Sequence, residues 1–179
     1  MQITEKSEGS LVEVKARADS LDSFRKKLEA IEASRVGTFR QTDTYFRVPE
    51  GRLKLRETEG EEKAELIYYE REEVPRPKRS RVFILELEKP EFVGTFLRAV
   101  LEKKVVVEKK REVFRHGETQ VHLDTVKKLG TFIELEQKTD GSPESEREAH
   151  KALEDLMRLL GIRPEDLVKG SYSDILHPS

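Results

Sequence analysis

The stretch His122–Gln137, HLDTVKKLGTFIELEQ, contains the pattern that decides the fold. Within it, Glu134 and Glu136 alternate with Ile133 and Leu135. Because successive side chains of a β-strand point to opposite faces, a strand here has one apolar face and one face of carboxylates. The pattern therefore predicts a strand whose two faces meet different surroundings, and it raises the question of which face is enclosed.

The composition excludes several classes of site and partner. The 179 residues include 34 basic and 36 acidic side chains, and the formal net charge of -2 offers no general attraction to nucleic acid or to a membrane surface. The chain has no cysteine, which excludes disulfides, thiolate metal sites and cysteine nucleophiles. Its first residues, MQITEKSEGS, lack an apolar segment, and no run approaches the roughly 18 apolar residues of a membrane span. We therefore predict a cytoplasmic protein with no nucleic-acid or membrane partner.

Periodicity along the chain predicts alternating strands and helices. Strand patterns lie at 11–18, 36–48, 52–59, 63–72, 81–88, 105–114, 119–126 and 129–138. Helical spacing predicts a helix that Asp19 or Ser20 caps, a second at 90–101 and a third at 143–160, which Gly161 ends. The segment VPRPKRS at 74–80 is predicted to be a loop because it contains two prolines.

The second predicted helix is expected to turn four apolar residues inward: Phe92, Phe96, Leu97 and Val100. No repeat or low-complexity linker interrupts the elements. We therefore predict a single α+β domain over residues 1–179, with a core at about 11–176, built on an antiparallel sheet or barrel.

At least five of the predicted strands carry a charged face opposite an apolar one. The charged faces consist of Glu13, Lys15 and Arg17 on the first strand, Arg52, Lys54 and Arg56 on the third, Lys109 and Arg111 on the sixth, His122 and Asp124 on the seventh, and Glu134, Glu136 and Lys138 on the eighth.

Two arrangements explain these charged faces. In the first, each faces bulk water, as in an ordinary sheet that is solvated on one side. In the second, the sheet closes on itself, the charged faces point inward and the helices cover the apolar outside. The charges are segregated by strand, whereas solubility alone favours mixed charges. A basic surface beside carboxylates is what a metal-bound polyphosphate requires, so we favour the enclosed arrangement.

A series of motifs also occurs in a fixed order: EVKAR at 13–17, DTYF at 43–46, GRLKLRE at 51–57, ELIYYER at 65–71, PKRS at 77–80, VEKKR at 107–111, HLDTVKKLGTFIELE at 122–136 and SYSDIL at 171–176. Together they resemble the CYTH superfamily, the triphosphate tunnel metalloenzymes, and within it the class IV adenylyl cyclase-like members. The resemblance covers Leu11 to Leu176. It implies an eight-stranded antiparallel closed β-barrel with flanking helices, which holds a triphosphate on basic residues and divalent metal on glutamates.

The resemblance also implies roles for individual positions. The expected catalytic residues are Lys15, Arg56, Lys109 and Arg111, and the expected metal ligands are Glu13, Asp124, Glu134 and Glu136. Neighbouring basic residues are expected to bind substrate: Arg17, Lys54, Arg71 and Arg81. Two positions depart from the family pattern, with Leu11 in place of a glutamate and Tyr69 in place of a frequent lysine, for which Arg71 on the same face is a substitute.

The activity that the resemblance implies is metal-dependent hydrolysis of a triphosphate-containing small molecule, such as inorganic triphosphate, thiamine triphosphate or a nucleoside triphosphate, with Mg²⁺ or Mn²⁺. Class IV adenylyl cyclase activity, which converts ATP to cyclic AMP and pyrophosphate, stays open because the same cations serve both reactions. A non-catalytic polyphosphate- or nucleotide-binding module stays open because of Leu11. The sequence leaves His122 equally open between a structural and a functional role, and we expect a monomer or a homodimer.

Overall fold

The computed structural model describes residues 3–88 and 90–177, with the backbone alone for residues 3–8. Over these residues the chain forms eight strands and four α-helices. The strands are β1 (Ile3–Arg17), β2 (Ser34–Phe46), β3 (Arg52–Thr58), β4 (Lys63–Arg71), β5 (Lys78–Glu88), β6 (Lys103–His116), β7 (Thr119–Val126) and β8 (Gly130–Thr139). The helices are α1 (Leu21–Ala30), α2 (Pro90–Val100), α3 (Pro143–Leu160) and α4 (Tyr172–Leu176), with a 3₁₀ turn at Pro164–Asp166.

The eight strands close into an antiparallel barrel in the order β1-β5-β4-β3-β2-β6-β7-β8. The barrel closes where β8 pairs with β1, with Lys15 opposite Glu134 and Glu13 opposite Glu136. The predicted eight-stranded closed barrel with flanking helices is therefore confirmed.

The starts of β1 and β5 differ from the sequence-based prediction, and β1 begins at Ile3 rather than at residue 11. The segment 74–80 was expected to be a loop, but β5 already begins at Lys78, and Lys78 and Ser80 pair with Glu13 and Leu11 of β1. The two prolines lie before this point, so they do not interrupt the hydrogen bonds of the strand. The predicted loop is thus shorter, and the prediction was wrong for its last three residues.

Helix α3 covers one side of the barrel. The side chain of Ser142 caps its first turn, and Gly161 ends it in the left-handed conformation, with φ of 67°. Its buried residues form one core cluster with α1 and with the outward apolar residues of β1, β7 and β8, among them Ile133 and Leu135. Because Ile133 and Leu135 are 1% and 0% exposed, the apolar face of β8 is the one that the helices cover.

Helix α2 covers β3, β4 and β5 with a face different from the predicted one. Leu97 is buried as expected, together with Val93, but Phe92 and Phe96 are 64% and 57% exposed and Val100 is exposed as well. The helix is apolar on several sides. Phe92, Phe96 and Val100 therefore form an apolar stripe of their own, next to the buried stripe that contains Val93 and Leu97. The prediction that Phe92, Phe96 and Val100 face inward was wrong.

The C-terminal segment SYSDIL forms the short helix α4, which contacts β6. Ser171 and Asp174 form a capping box at its start, in which each side chain accepts from the backbone of the other residue. This box fixes Tyr172 so that its ring is buried against Phe132, with a centroid separation of 5.0 Å. Within the described parts of the chain, no helix is long and apolar enough to cross a membrane.

Candidate functional site

A cavity of about 600 Å³ lies inside the barrel. Strands contribute alternate residues to its wall, for example Gln41, Asp43 and Tyr45 of β2. Its basic side chains include Lys15, Lys54, Arg56, Arg71, Lys109 and Arg111, and its carboxylates include Glu13, Asp43, Glu134 and Glu136. The charged faces that alternation predicts on β1, β3, β6 and β8 therefore meet in one enclosed space.

Asp43 holds together three of these cations. Its Oδ1 accepts from Arg56 Nε at 2.7 Å, and its Oδ2 accepts from Lys54 at 3.0 Å and Lys109 at 2.7 Å. Burial alone raises the pKa of the Asp43 carboxyl, but the positive charges of Arg56, Lys109 and Lys54 outweigh this effect and keep the pKa well below its usual value. Asp43 is thus a permanent anion that fixes the positions of the three cations.

Arg111 is held by two other carboxylates, those of Asp124 and Glu134. Its Nε and Nη2 donate to Asp124 at 2.8 and 2.6 Å, and Nη2 also donates to Glu134 at 3.1 Å. Tyr172 donates its hydroxyl to Asp124 at 2.7 Å, and the ammonium of Lys15 lies 3.7 Å from the Tyr172 ring centroid. Helix α4 therefore reaches the charged centre through a single tyrosine.

Arg71 carries the clearest unsatisfied donors of the cavity. Its Nη1 donates to Glu13, whereas its Nε and Nη2 are buried and have no hydrogen-bond partner among residues 3–88 and 90–177. The side chain is 5% exposed. Buried guanidinium N–H groups are normally hydrogen-bonded, so these two donors indicate a place for an anionic ligand.

Glu136 is a tunnel carboxylate without a lysine or arginine ion pair among the described residues. The nearest titratable side chain is that of His122, whose Nε2 lies 3.8 Å from Oε1. Burial, followed by the negative charge of Glu134, raises the pKa of Glu136 to about 7. Burial, followed by the positive charge of Arg111, lowers the pKa of His122 to about 3, so its imidazole is neutral at ordinary pH.

Most of the predicted site residues lie in the tunnel, but three do not. Arg17 stands at the end of β1, where its exposed side chain donates to the carbonyl of Leu129. Arg81 points outward, because the tunnel residues of β5 are Ser80, Val82, Ile84 and Glu86, and its guanidinium lies over Phe83. Asp124 is fully buried behind Arg111 rather than beside the glutamates.

The sequence analysis missed Asp43 and Tyr172 as site residues and left His122 undecided. Asp43 lies in the quoted motif DTYF and shares its strand face with Gln41 and Tyr45. The alternation of side chains along β2 would therefore have predicted it as a residue of the charged face. Tyr172 had no comparable signal, because its position depends on how the chain returns to the barrel after α3.

The two departures from the family pattern both lie on the cavity wall. Leu11 lines it and pairs with Ser80 and Lys138 of the neighbouring strands. Tyr69 lines it too, and the guanidinium of Arg71 lies 5.3 Å from its ring centroid. Arg71 thus brings a cation to the wall next to the position where Tyr69 provides none.

Comparison with known families identifies this arrangement. The CYTH domain matches residues 11–172. The chain belongs to the CYTH family. The barrel and its charged interior correspond to the triphosphate tunnel fold of that family, whose members are typically enzymes. A search among curated proteins gave no match.

Three solved structures are similar to this CYTH chain over most of their length. The PH1012 protein of Pyrococcus horikoshii is 27% identical, with 92% of this chain and 98% of its own covered and a TM-score of 0.79. A candidate adenylate cyclase from Vibrio parahaemolyticus is 22% identical, with 95% and 99% covered and a TM-score of 0.80. A candidate adenylyl cyclase from Hippeastrum, described as having a dominant triphosphatase activity, is 18% identical, with 93% of each chain covered and a TM-score of 0.62.

The donors in this CYTH tunnel fit a divalent cation. Ligand atoms of His122, Glu134 and Glu136 all lie within 4.8 Å of one another. Glu136 is half-buried and has no lysine or arginine ion pair in the described parts of the chain, and such a carboxylate is stabilised by an added positive ion. Of the four metal ligands expected from the sequence, Glu134 and Glu136 belong to this group, whereas Glu13 pairs with Arg71 and Asp124 with Arg111.

Proposed function

We propose that the chain is a metal-dependent phosphohydrolase that binds a triphosphate-containing small molecule in the tunnel. The observation that carries this proposal is the pair of buried Arg71 donors, Nε and Nη2, that no described residue accepts. They belong to a residue that lines the cavity, and the cavity wall holds several further cations, so a single phosphate or carboxylate of modest charge does not use the site fully. A triphosphate bears about four negative charges near neutral pH and needs several permanent cations to hold it.

The cations divide the work of binding between them. Arg71 and Arg111 offer planar guanidinium groups that suit phosphate oxygens, and Lys15, Lys54 and Lys109 act as point charges. Because Asp43 and Asp124 fix the basic side chains before the ligand arrives, less reorganisation is required when phosphate charge develops in the transition state. Lys15, Arg56, Lys109 and Arg111 are the residues that we expect to stabilise that charge.

A metal ion would be held by Glu136 and Glu134, with His122 beside them. Bound Mg²⁺ or Mn²⁺ would neutralise phosphate charge and polarise a phosphorus–oxygen bond. Glu136 also has a raised pKa of about 7, so in the metal-free protein it can exchange a proton near neutral pH. Leu11 supplies no oxygen ligand, which limits the carboxylates that a second ion can use.

The experiment is an incubation of the protein with tripolyphosphate, thiamine triphosphate and ATP, with Mg²⁺, with Mn²⁺ or with a chelator. We expect release of phosphate that requires the metal, from at least one of the three substrates. Formation of cyclic AMP and pyrophosphate from ATP would show that the chain is an adenylyl cyclase rather than a hydrolase. Saturable binding without turnover would instead identify a triphosphate-binding module.

The similar structures support this proposal without choosing the substrate. The Hippeastrum protein is described as a triphosphatase, and the Vibrio parahaemolyticus protein as a candidate adenylate cyclase. Both share less than 25% identity with this chain, so they support the tunnel rather than a particular reaction. The cytoplasmic location and the monomeric or homodimeric state stay predictions.

A further inference from the structure

His122, Glu134 and Glu136 form a compact group on two neighbouring strands. His122 of β7 is paired directly with Glu134 of β8, and Glu136 follows two residues later on the same face. One ring nitrogen and two carboxylate oxygens of the group lie within 4.8 Å of one another. Metal bonds to such ligands are about 2.0–2.2 Å long, which places the donors of one ion about 3 Å apart, so small side-chain rotations suffice to bring them together.

His122 is buried without a full set of partners. The residue is 4% exposed, and its Nδ1 has no hydrogen-bond partner anywhere in residues 3–88 and 90–177. Its Nε2 has only a long contact of 3.3 Å with Gln120. A buried ring nitrogen in this situation is uncommon unless a ligand or an ion completes it. This observation is independent of the two carboxylates.

The surroundings of the group favour a cation at Glu136. Glu134 is paired with Arg111 and Lys15, whereas Glu136 has only the neutral His122 beside it within the described residues. Lys15 and Arg111 thus balance the charge of Glu134, whereas no lysine or arginine of the described residues forms an ion pair with Glu136. An ion between Glu136 and Nε2 of His122, the ring nitrogen on that side, supplies the missing positive charge and gives Nε2 a closer partner than its contact with Gln120.

We propose that His122 is a metal ligand and that it makes this site selective for ions that accept a nitrogen donor, such as Mn²⁺, Co²⁺ and Zn²⁺, over Mg²⁺. The inference rests on the proposed function, since it concerns the metal of the same tunnel. Mg²⁺ prefers an octahedral set of oxygen ligands and keeps several waters, whereas imidazole suits the transition metals. With one nitrogen and two carboxylates, the affinity order should be Zn²⁺ above Co²⁺, Co²⁺ above Mn²⁺ and Mn²⁺ above Mg²⁺.

The direct test looks for nitrogen bound to the metal. The full chain is stripped with a chelator, loaded with Mn²⁺ without substrate and examined by electron spin echo envelope modulation, which detects the nitrogen nucleus of a coordinated imidazole. We expect Mn²⁺ to bind and to show this nitrogen coupling. Bound Mn²⁺ without nitrogen coupling, or no binding of Mn²⁺ at all, would overturn the proposal.

A variant and a matched control give a second readout. His122→Asn should lose the nitrogen coupling and at least about tenfold in Co²⁺ affinity by calorimetry, while its Mg²⁺ affinity changes less than about threefold. His150→Asn removes a histidine from α3, outside the tunnel, and should change neither. Nitrogen coupling that persists in His122→Asn would overturn the proposal.

The wild-type measurement does not depend on whether the variant folds. It is also distinct from the test of the proposed function. Nitrogen coupling in a protein that releases no phosphate would refute hydrolysis but support His122 as a metal ligand. Phosphate release without nitrogen coupling would support hydrolysis but refute His122 as a ligand.

Discussion

Asp43 and Lys109 form an ion pair in which each side chain is 1% exposed, with Nζ of the lysine 2.7 Å from Oδ2 of the aspartate. The same carboxylate accepts from Lys54 and Arg56. One anion thus holds three cations of the tunnel, and its removal leaves all three without their common partner.

Asp43→Asn should lower the free energy of unfolding by about 3–5 kcal/mol, because it leaves buried charges uncompensated. Tripolyphosphate should stabilise the variant more than the wild type, since the added anion replaces the lost charge. Denaturant unfolding with and without tripolyphosphate measures both effects. Asp155→Asn, which removes the partner of exposed Arg158 on α3, is the control and should cost less than about 1 kcal/mol. Equal stability of Asp43→Asn and wild type would contradict the role of Asp43.

The tunnel should lose affinity for triphosphate in alkaline solution. Burial, followed by the positive charge of Arg56, lowers the pKa of Lys54 from 10.5 to about 8. Lys54 therefore contributes stability that is present above its unfolded pKa of 10.5 and is lost as the pH falls through about 8. Ligand binding has the opposite pH dependence, because the ligand-free protein loses the positive charge of Lys54 as the pH rises through about 8.

The comparison with Lys54→Met isolates this titration from that of the ligand. The ratio of wild-type to variant affinity for tripolyphosphate, measured by calorimetry, should fall about tenfold between about pH 7 and about pH 9, as the charged fraction of Lys54 declines. A ratio that stays constant over this range would show that Lys54 does not bind the ligand as a cation.

Glu134 and Glu136 should respond differently to the same substitution. Glu134→Gln breaks buried contacts with Arg111 and Lys15 and should lower the free energy of unfolding by about 3 kcal/mol. Glu136→Gln removes a carboxylate without a lysine or arginine partner in the described chain, so its stability at neutral pH should equal or exceed that of the wild type. Both variants should lose Mn²⁺ binding in calorimetry. Unchanged Mn²⁺ affinity in Glu136→Gln would show that the residue is not a ligand.

Arg71→Lys tests the donors of the guanidinium rather than its charge. The lysine keeps a positive partner for Glu13 but lacks the two N–H groups that we assign to phosphate. The affinity for tripolyphosphate should fall about tenfold to a hundredfold. Arg17→Lys changes an arginine at the end of β1, outside the cavity wall, and should leave the affinity unchanged. Equal losses in both variants would point to a general electrostatic effect instead.

The two faces of α2 should differ in their tolerance to substitution. Leu97→Ala should destabilise the protein by about 2–5 kcal/mol because it opens a cavity against the barrel. Phe96→Ser should change the free energy of unfolding by less than about 0.5 kcal/mol, since Phe96 is 57% exposed. Thermal or denaturant unfolding measures both, and the reverse order of effects would contradict the position of the helix.

Alternation predicted that the two faces of each strand differ, and the family resemblance, rather than alternation, implied that the sheet closes. In FIELE, the pattern placed Ile133 and Leu135 on one face and the glutamates on the other, and the structure places the glutamates on the inner face. The same reasoning could not place α2, because a helix that is apolar on several sides offers more than one packing face.

Within the site, the sequence could predict which face a residue occupies but not its partner. Asp124 has the same strand face as His122, yet Arg111 and Tyr172 bind its carboxylate and keep it apart from Glu134 and Glu136. The hydrogen bond from Tyr172 to Asp124 joins residues 48 positions apart, and no local pattern in the sequence predicts it. Periodicity also does not predict where a strand leaves the barrel, so it could not show that Arg17, at the end of β1, is exposed to solvent.

The pairing of β1 with β8 has a consequence for how the protein is made. It places Lys15 beside Glu134, which comes from the last strand of the barrel. Contacts between such distant parts of a chain form slowly, because a long loop must close before they gain any energy. On a ribosome, β1 to β7 emerge first, and until β8 follows, the edges of the incomplete sheet and its inner charges stay in water. The final strand therefore completes the fold and the tunnel in the same step, and a chain cut before Gly130 should yield neither a folded barrel nor a triphosphate site.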